Sequence, residues 1–290
     1  MRIANPNVDE NGVSRENIFY ALDESDKTIG KALLTISLNP KFSASYPLNI
    51  YFTINAKDSV RTKLFGSIMA RAYQLCTTAY PMYNARIYTK VDPDDVESLQ
   101  FYTYAGLQNN DRDEIIQINT PLNMKYNLSY YGFSIQNIPS DTDTDLTMIV
   151  NRYNEYLLHP ISLETLKKCR SSKNYLAIGM VLNNYCVGEA LFYGNGNLAT
   201  MLGIYVEPAY REKGIGRELI RNGILRLREQ GVTTFYTTLQ RRSLAQRKLA
   251  SHCRYRAIKT MNLYPGICID KTFSVQGMSG NRQEAQNSYY

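Results

Sequence analysis

The chain has 290 residues, 44% of them hydrophobic and 20% charged, which allows one large domain or two of ordinary size with packed cores, and two are expected. No stretch reaches the roughly 18 unbroken apolar residues of a membrane span, and the opening MRIANPNVDENG has no signal-like apolar run, so a cytoplasmic protein without a membrane partner is expected. Five widely spaced Cys with no CxxC, and two His, support neither a disulfide framework nor a metal site. The net charge of +7 is local: thirteen of the 33 Lys/Arg but only four of the 26 Asp/Glu fall in residues 201–260. One anionic ligand held by that segment explains the surplus as economically as a polyanion, so nucleic acid is not expected as a partner.

In chain order, residues 17–22 and 28–38 read as two strands joined at the turn-rich DESDK, followed by a β-rich run at 48–54. Leu64, Ile68 and Leu75 give 60–75 helical spacing. Residues 85–90 form a short strand, and 96–105 a helix entered through Asp94 and Asp95 and left through Gly106. A closing strand is expected at 114–118. The pattern weakens from Thr120, with Pro121 marking a boundary, and a second series begins. It comprises a strand at 131–138, helices at 141–156 and 162–170, and a hairpin of 175–182 and 185–193 around Asn183 and Asn184. A strand at 198–206, a helix at 214–230 ended by Gly231, a strand at 233–239, a helix at 244–253 and a strand at 255–261 follow. The polar stretch from Lys271 reads as a mobile tail.

The two series resemble each other. A shift of 152 residues lays Ile54 on Val206 and Ile68 on Ile220, and a shift of 148 lays Gly106 and Leu107 on Arg254 and Tyr255. The expected organisation is a segment at 1–14, a domain at 15–120, a linker at 121–129, a second domain at 130–270 and the tail at 271–290.

The sharpest segment is 203–220. A β-branched strand ends at Val206, Pro208 stops its ladder, and Arg211, Glu212, Lys213, Gly214, Ile215 and Gly216 make a turn that opens directly into a helix. N–H groups at a helix start lack internal partners and the helix dipole adds positive charge, so this is an anion site. Gly214 and Gly216 remove side chains where a phosphate would approach, while Arg211, Lys213 and Arg217 surround it with charge. The pattern matches neither a Walker loop nor a dinucleotide loop.

Arg211-Glu-Lys-Gly214-Ile-Gly216, preceded by Val206-Glu-Pro208-Ala-Tyr210, resembles the acetyl-CoA signature of the GNAT N-acetyltransferase superfamily. The resemblance spans roughly 130–268 and is specific at 203–220. It implies an α/β (α+β) fold of two tandem GNAT-like domains, each a mixed, mostly antiparallel sheet flanked by helices, the first a degenerate copy. It further implies a gap between the strand ending at Val206 and the next strand, with pantetheine pairing to the backbone near Ile204 and Val206. Pyrophosphate would be held by Glu212 to Arg217, and the helix-start position usually filled by Asn is Ser243. Acetyl-CoA is the cosubstrate, no metal is called for, and the acceptor is a primary amine of a small molecule or of a protein or peptide.

The sequence departs from the family at the chemistry. The usual base position is Thr200 and the usual Tyr acid position is Ala250, which leaves Glu189, Tyr193 and Tyr205 as candidate catalytic groups. A non-catalytic CoA-binding regulatory protein is therefore the alternative. In the first copy the cradle positions become Ser59, Thr62 and Leu64, and Tyr102, at its acid position, reads as packing.

Overall fold

The computed structural model describes residues 1–40, 43, 45–119, 132–157 and 160–271, without the side chain of Asp58. The expected linker and the tail from 272 onward lie outside the described residues. The first half supplies β1 (Arg2–Ala4), β2 (Ile18–Leu22), β3 (Thr28–Leu38), β4 (Leu48–Ala56), α1 (Asp58–Gln74), β5 (Ala85–Tyr88), α2 (Val96–Tyr104) and β6 (Arg112–Ile118). The second supplies β7 (Phe133–Asn137), α3 (Asp143–Asn154), α4 (Leu163–Arg170), β8 (Leu176–Leu182), β9 (Tyr185–Asn195), β10 (Leu198–Val206) and α5 (Ile215–Glu229). It continues with β11 (Thr234–Gln240), α6 (Leu244–His252), β12 (Tyr255–Leu263) and β13 (Gly266–Ile269). No helix among the described residues is long and apolar enough to cross a membrane.

Local chemistry sets the helix starts. Thr142 and Asp145 form a reciprocal capping box before α3, Ser162 accepts from Thr165 N before α4, and Asp95 accepts from Ser98 N before α2, each satisfying an orphan donor of the first turn. Amphipathic faces then build two layers. Val60, Leu64 and Ile68 of α1 share a core with Leu34, Ile50 and Phe52, and Leu219, Ile220, Ile224 and Leu227 of α5 share another with Ile178, Ala190 and Phe192. Tyr102 lies in the first core, 5.8 Å from Phe52 in an edge contact, the packing role its sequence suggested.

Two mixed sheets result, in the orders β1-β2-β3-β4-β5-β13 and β12-β6-β11-β10-β9-β8-β7. Each contains a single parallel pair, β4 with β5 and β10 with β11. In both halves that pair spans four positions and starts at the first residue of each strand. Gly106 and Arg254, matched by the sequence shift, both have positive φ, 87° and 46°, so each helix leaves through the same left-handed turn.

The expected closing strand of the first half exists, but it belongs to the other sheet: β6 lies between β11 and β12. In return β13, which the sequence pattern did not reveal, pairs with β5. The halves thus exchange their last strands. One guanidinium stitches the crossing segments together: Arg86 of β5 pairs with Asp111 at 2.7 Å and donates to Tyr264 O at 2.8 Å. Both side chains of the pair are about nine-tenths buried, so removing either leaves an uncompensated buried charge, worth about 3–5 kcal/mol.

The halves also differ in two insertions. The second joins β7 to β8 through α3 and α4, whereas the first joins β1 to β2 without an α-helix. The second joins β10 to α5 through eight residues, 207–214, whereas Lys57 alone separates β4 from α1. Ser59, Thr62 and Leu64 are therefore not cradle positions that lost their glycines; they lie inside α1, and the constant shift misplaced them because the loop itself is missing.

Exchange makes each half incomplete. Fragments 1–119 and 132–290 produced together should co-purify as a 1:1 complex, while each alone should aggregate with its sheet open. Two separately monomeric fragments, each unfolding cooperatively, would show that the exchange is dispensable.

Candidate active site

The site starts from a failure of strand pairing. β10 and β11 pair only from Leu198↔Thr234 to Met201↔Thr237, although they continue to Val206 and Gln240. At the fork the Thr237 hydroxyl donates to Met201 O at 3.0 Å. Leu202 sits in a bulge against β9, which adds twist and bend and directs β10 away. The bulge also changes which face each residue takes. Ala199 and Met201 before it, and Ile204 and Val206 after it, pack on the core beneath α5. Leu202 and Tyr205 pack beneath α3. Beyond the fork the β11 side of β10 has no ladder, so an extended, amide-bearing ligand could take its place.

The loop at the end of β10 is shaped by its backbone. Glu212 and Gly214 are left-handed, with φ of 65° and 82°, and Gly214 is the N-cap of α5. Left-handed residues leading into a helix start are a backbone setting in which N–H groups can converge on an anion. Arg211 Nε donates to Val206 O at 2.9 Å, folding the loop back on the strand. Glu212 pairs with Lys248 at 2.9 Å on the open surface, and Lys213 Nζ stands 5.1 Å over the Tyr210 ring. Ile215 is core at 1% exposure, and Arg217 lies in the first turn of α5. A Cβ on Gly216 would meet Leu249 Cδ1 at 3.2 Å, so this glycine makes room for α6 before it makes room for an anion. Ser243 caps α6, accepting from Gln246 N at 3.3 Å, and its hydroxyl is engaged there.

The three candidate catalytic groups separate into two places. Glu189 and Tyr205 are direct partners across β9 and β10, while Tyr193 is opposite Thr200, four residues or about 13 Å along the strand. Glu189 is fully buried, and its Oε1 lies 2.7 Å from Arg152 Nη2 of α3. Burial raises its carboxyl above the ordinary value, opposed chiefly by the Arg152 charge. Tyr205, 5% exposed, is pushed far up by burial and then by the neighbouring Glu189 charge. Burial also raises Tyr193. Ala250 is buried with Ile116 and Leu239.

Several residues around this site were missed by sequence reasoning. Tyr153 stands perpendicular to Tyr205 at 5.2 Å, and Tyr156 stacks on Tyr205 at 5.0 Å and 6°. The Arg211 guanidinium is 5.9 Å from the Tyr156 ring. Tyr156 is pushed up to about 12 by burial and by its hydrogen bond to Glu207. The helical spacing of 149, 150 and 153 was a signal for the buried face of α3, but nothing local indicated that Arg152 would meet Glu189.

Residues 143–253 match the profile described as Acetyltransferase (GNAT) family. This segment is a GNAT-family domain. Around it the chain forms two mixed sheets flanked by helices. No curated protein matches the chain. Among solved structures, the chain is similar to a GCN5-related N-acetyltransferase from Sphaerobacter thermophilus, at 11% identity and TM-score 0.46, covering 89% of this chain and 82% of that one. It is also similar to the ribosomal-protein-S18-alanine N-acetyltransferase from Escherichia coli, at 18% identity and TM-score 0.39, covering 51% and 99%.

The Glu189–Arg152 pair beside the GNAT gap gives a prediction with a sign. An acid whose folded pKa lies above its unfolded one destabilises the fold when ionised, and that cost disappears as pH falls through the folded value. Arg152→Ala removes the opposing charge. Near pH 8 it should cost about 3 kcal/mol, the low end for breaking a buried pair because Arg152 is partly exposed. The deficit should shrink towards pH 5 in urea unfolding; a deficit independent of pH would mean that Arg152 acts through packing alone.

Proposed function

We propose that this chain is an acetyl-CoA-dependent N-acetyltransferase acting on a primary amine. The reading rests on one observation: β10 leaves β11 after Met201, and the same strand runs into the left-handed, glycine-containing start of α5. The open edge of β10 near Ile204 and Val206 fits the amides of pantetheine, and the N–H groups from Glu212 to Arg217 fit a pyrophosphate. The eight-residue loop supports one such site, in the second half, because Lys57 alone cannot form a second cradle.

In transfer, the amine nitrogen bonds to the thioester carbonyl carbon, the C–S bond breaks, and the proton that the nitrogen loses ends on the departing thiolate, giving the amide and free thiol. Glu189 has no exposed surface and is paired to Arg152, so direct proton abstraction from a bound amine does not suit it. Tyr205, held protonated, donates rather than accepts. We infer that the acceptor reacts as the neutral amine already present in solution, with positioning in the gap contributing several kcal/mol of barrier reduction. The rate should then rise with pH towards the acceptor's own pKa, and Glu189→Gln should cost less than about tenfold, roughly 1.4 kcal/mol. A plateau near pH 6–7 that vanishes in Glu189→Gln would instead make Glu189 the base.

Thr200 and the buried Ala250 favour a second reading, a GNAT fold that holds CoA without turnover. Release of free thiol from acetyl-CoA with a panel of amines separates the two. Under either reading, calorimetry should give one equivalent of acetyl-CoA per chain. Gly214→Glu should abolish binding, since it forces an L residue into a left-handed position and a carboxylate into the cradle. Arg211→Ala should weaken binding by about 1–3 kcal/mol. Two tight equivalents, or unchanged affinity in Gly214→Glu, would refute the assignment.

A further inference from the structure

Among the described residues no α-helix of the first half covers the face of the first sheet away from α1, and a cavity of about 420 Å³ opens there, lined by residues of both halves. Its volume is within the usual range for small-molecule sites. Thr35, Asn49 and Tyr51 come from the first sheet, Asp113 from the exchanged strand β6, and Asn262 and Tyr264 from the chain leading to β13.

Asp113 decides what the cavity suits. It is 8% exposed, and its two hydrogen bonds, from Tyr264 Oη at 2.6 Å and Asn262 Nδ2 at 3.5 Å, both end on Oδ2. Among the described residues no cation lies within ion-pair distance of it. Two cations stand behind the walls: the buried Arg86 is engaged by Asp111 and Tyr264 O, and the part-buried Arg242 donates to Asn49 Oδ1 and lies over the Tyr88 ring. The exposed Lys90 lines the cavity, and neither it nor the two arginines form an ion pair with Asp113. Buried carboxylates are ordinarily paired, and this one has a free oxygen, a cavity and aromatic walls instead.

We propose that the cavity between the halves binds the ammonium group of a small polar amine, with Asp113 as its counter-ion and Tyr51 beside it as an apolar wall. This amine is not the one acetylated. Asp113 is four residues along β6 from Gln117, whose partner Tyr236 is itself opposite Thr200. At about 3.3 Å per residue and about 4.8 Å per strand, Asp113 is roughly 16 Å from Thr200 at the fork.

The test uses the full chain without acetyl-CoA, titrated with 1,4-diaminobutane, glucosamine and lysine beside the neutral 1,4-butanediol and glucose. At least one amine should bind with a dissociation constant of about 1 mM or tighter, and its neutral counterpart should not. Asp113→Asn, which keeps an acceptor for Tyr264, should weaken that binding at least tenfold. Gly214→Glu should leave it unchanged, so that the site stands or falls separately from acetyl-CoA binding. No binding by any amine, equal binding of the neutral compounds, or full affinity in Asp113→Asn with its fold retained would overturn the proposal. Loss of amine binding in Gly214→Glu would overturn its separation from the acetyl-transfer site.

Discussion

The fork between β10 and β11 is the constraint on which the candidate site depends. Two parallel strands that stay paired bury their ladder groups and leave nothing to bind. Here pairing stops after four positions because Leu202 is bulged out against β9, while the Thr237 hydroxyl takes up Met201 O at the point of separation. The consequence reaches the side chains as well. By reversing the alternation, the bulge delivers Tyr205 to the α3 face opposite Glu189 and keeps Ile204 and Val206 on the α5 core. A β10 without the bulge would send Tyr205 into that core and Val206 out of it.

The first half shows that a short parallel pair alone does not make a phosphate cradle. β5 ends at Tyr88 after the same four pairs, and the chain passes from β4 into α1 through Lys57 with no loop whose N–H groups could converge. What that half retains is architectural. It donates β6 to the sheet that carries the GNAT gap, accepts β13 in return, and lacks the helix pair that would cover its own outer face. The Arg86–Asp111 pair and the Tyr264 carbonyl hold the crossing together. The two halves thus form one structural unit in which the second sheet depends on a strand from the first half.

Most of the element order was legible in the sequence because caps, turns and apolar spacing are local. So was the strand–loop–helix turn at 203–220, since Gly214 and the Val206–Pro208 strand end are encoded within a dozen residues. The exchange of β6 and β13 was not, because 112–118 reads as the same strand whichever sheet it joins, and the four residues of β13 are too few to carry a pattern. β1, with three residues, was lost for the same reason. The first-half cradle was misplaced by a different error: a constant shift assumes equal loop lengths, and the loop was the part that differed. Gly216 illustrates a third limit, since its close neighbour is Leu249, thirty-three positions away.

The α3 face explains how a buried ion pair can be compatible with a site that does not use it for proton transfer. Contacts run without a break from the cradle to the pair: Arg211 lies over Tyr156, Tyr156 stacks on Tyr205, and Tyr205 is opposite Glu189, which holds Arg152. A buried ion pair adds little net stability over an apolar equivalent, but it admits few alternative geometries. Glu189 holds Arg152 at the height that α3 takes above the sheet. That height sets Tyr153 against Gly203, where a Cβ would come within 2.8 Å of the ring, and it sets Tyr156 against Arg211. The glycine, the aromatic stack and the ion pair therefore select the same position of α3, and that position fixes where Arg211 can fold the cradle onto Val206.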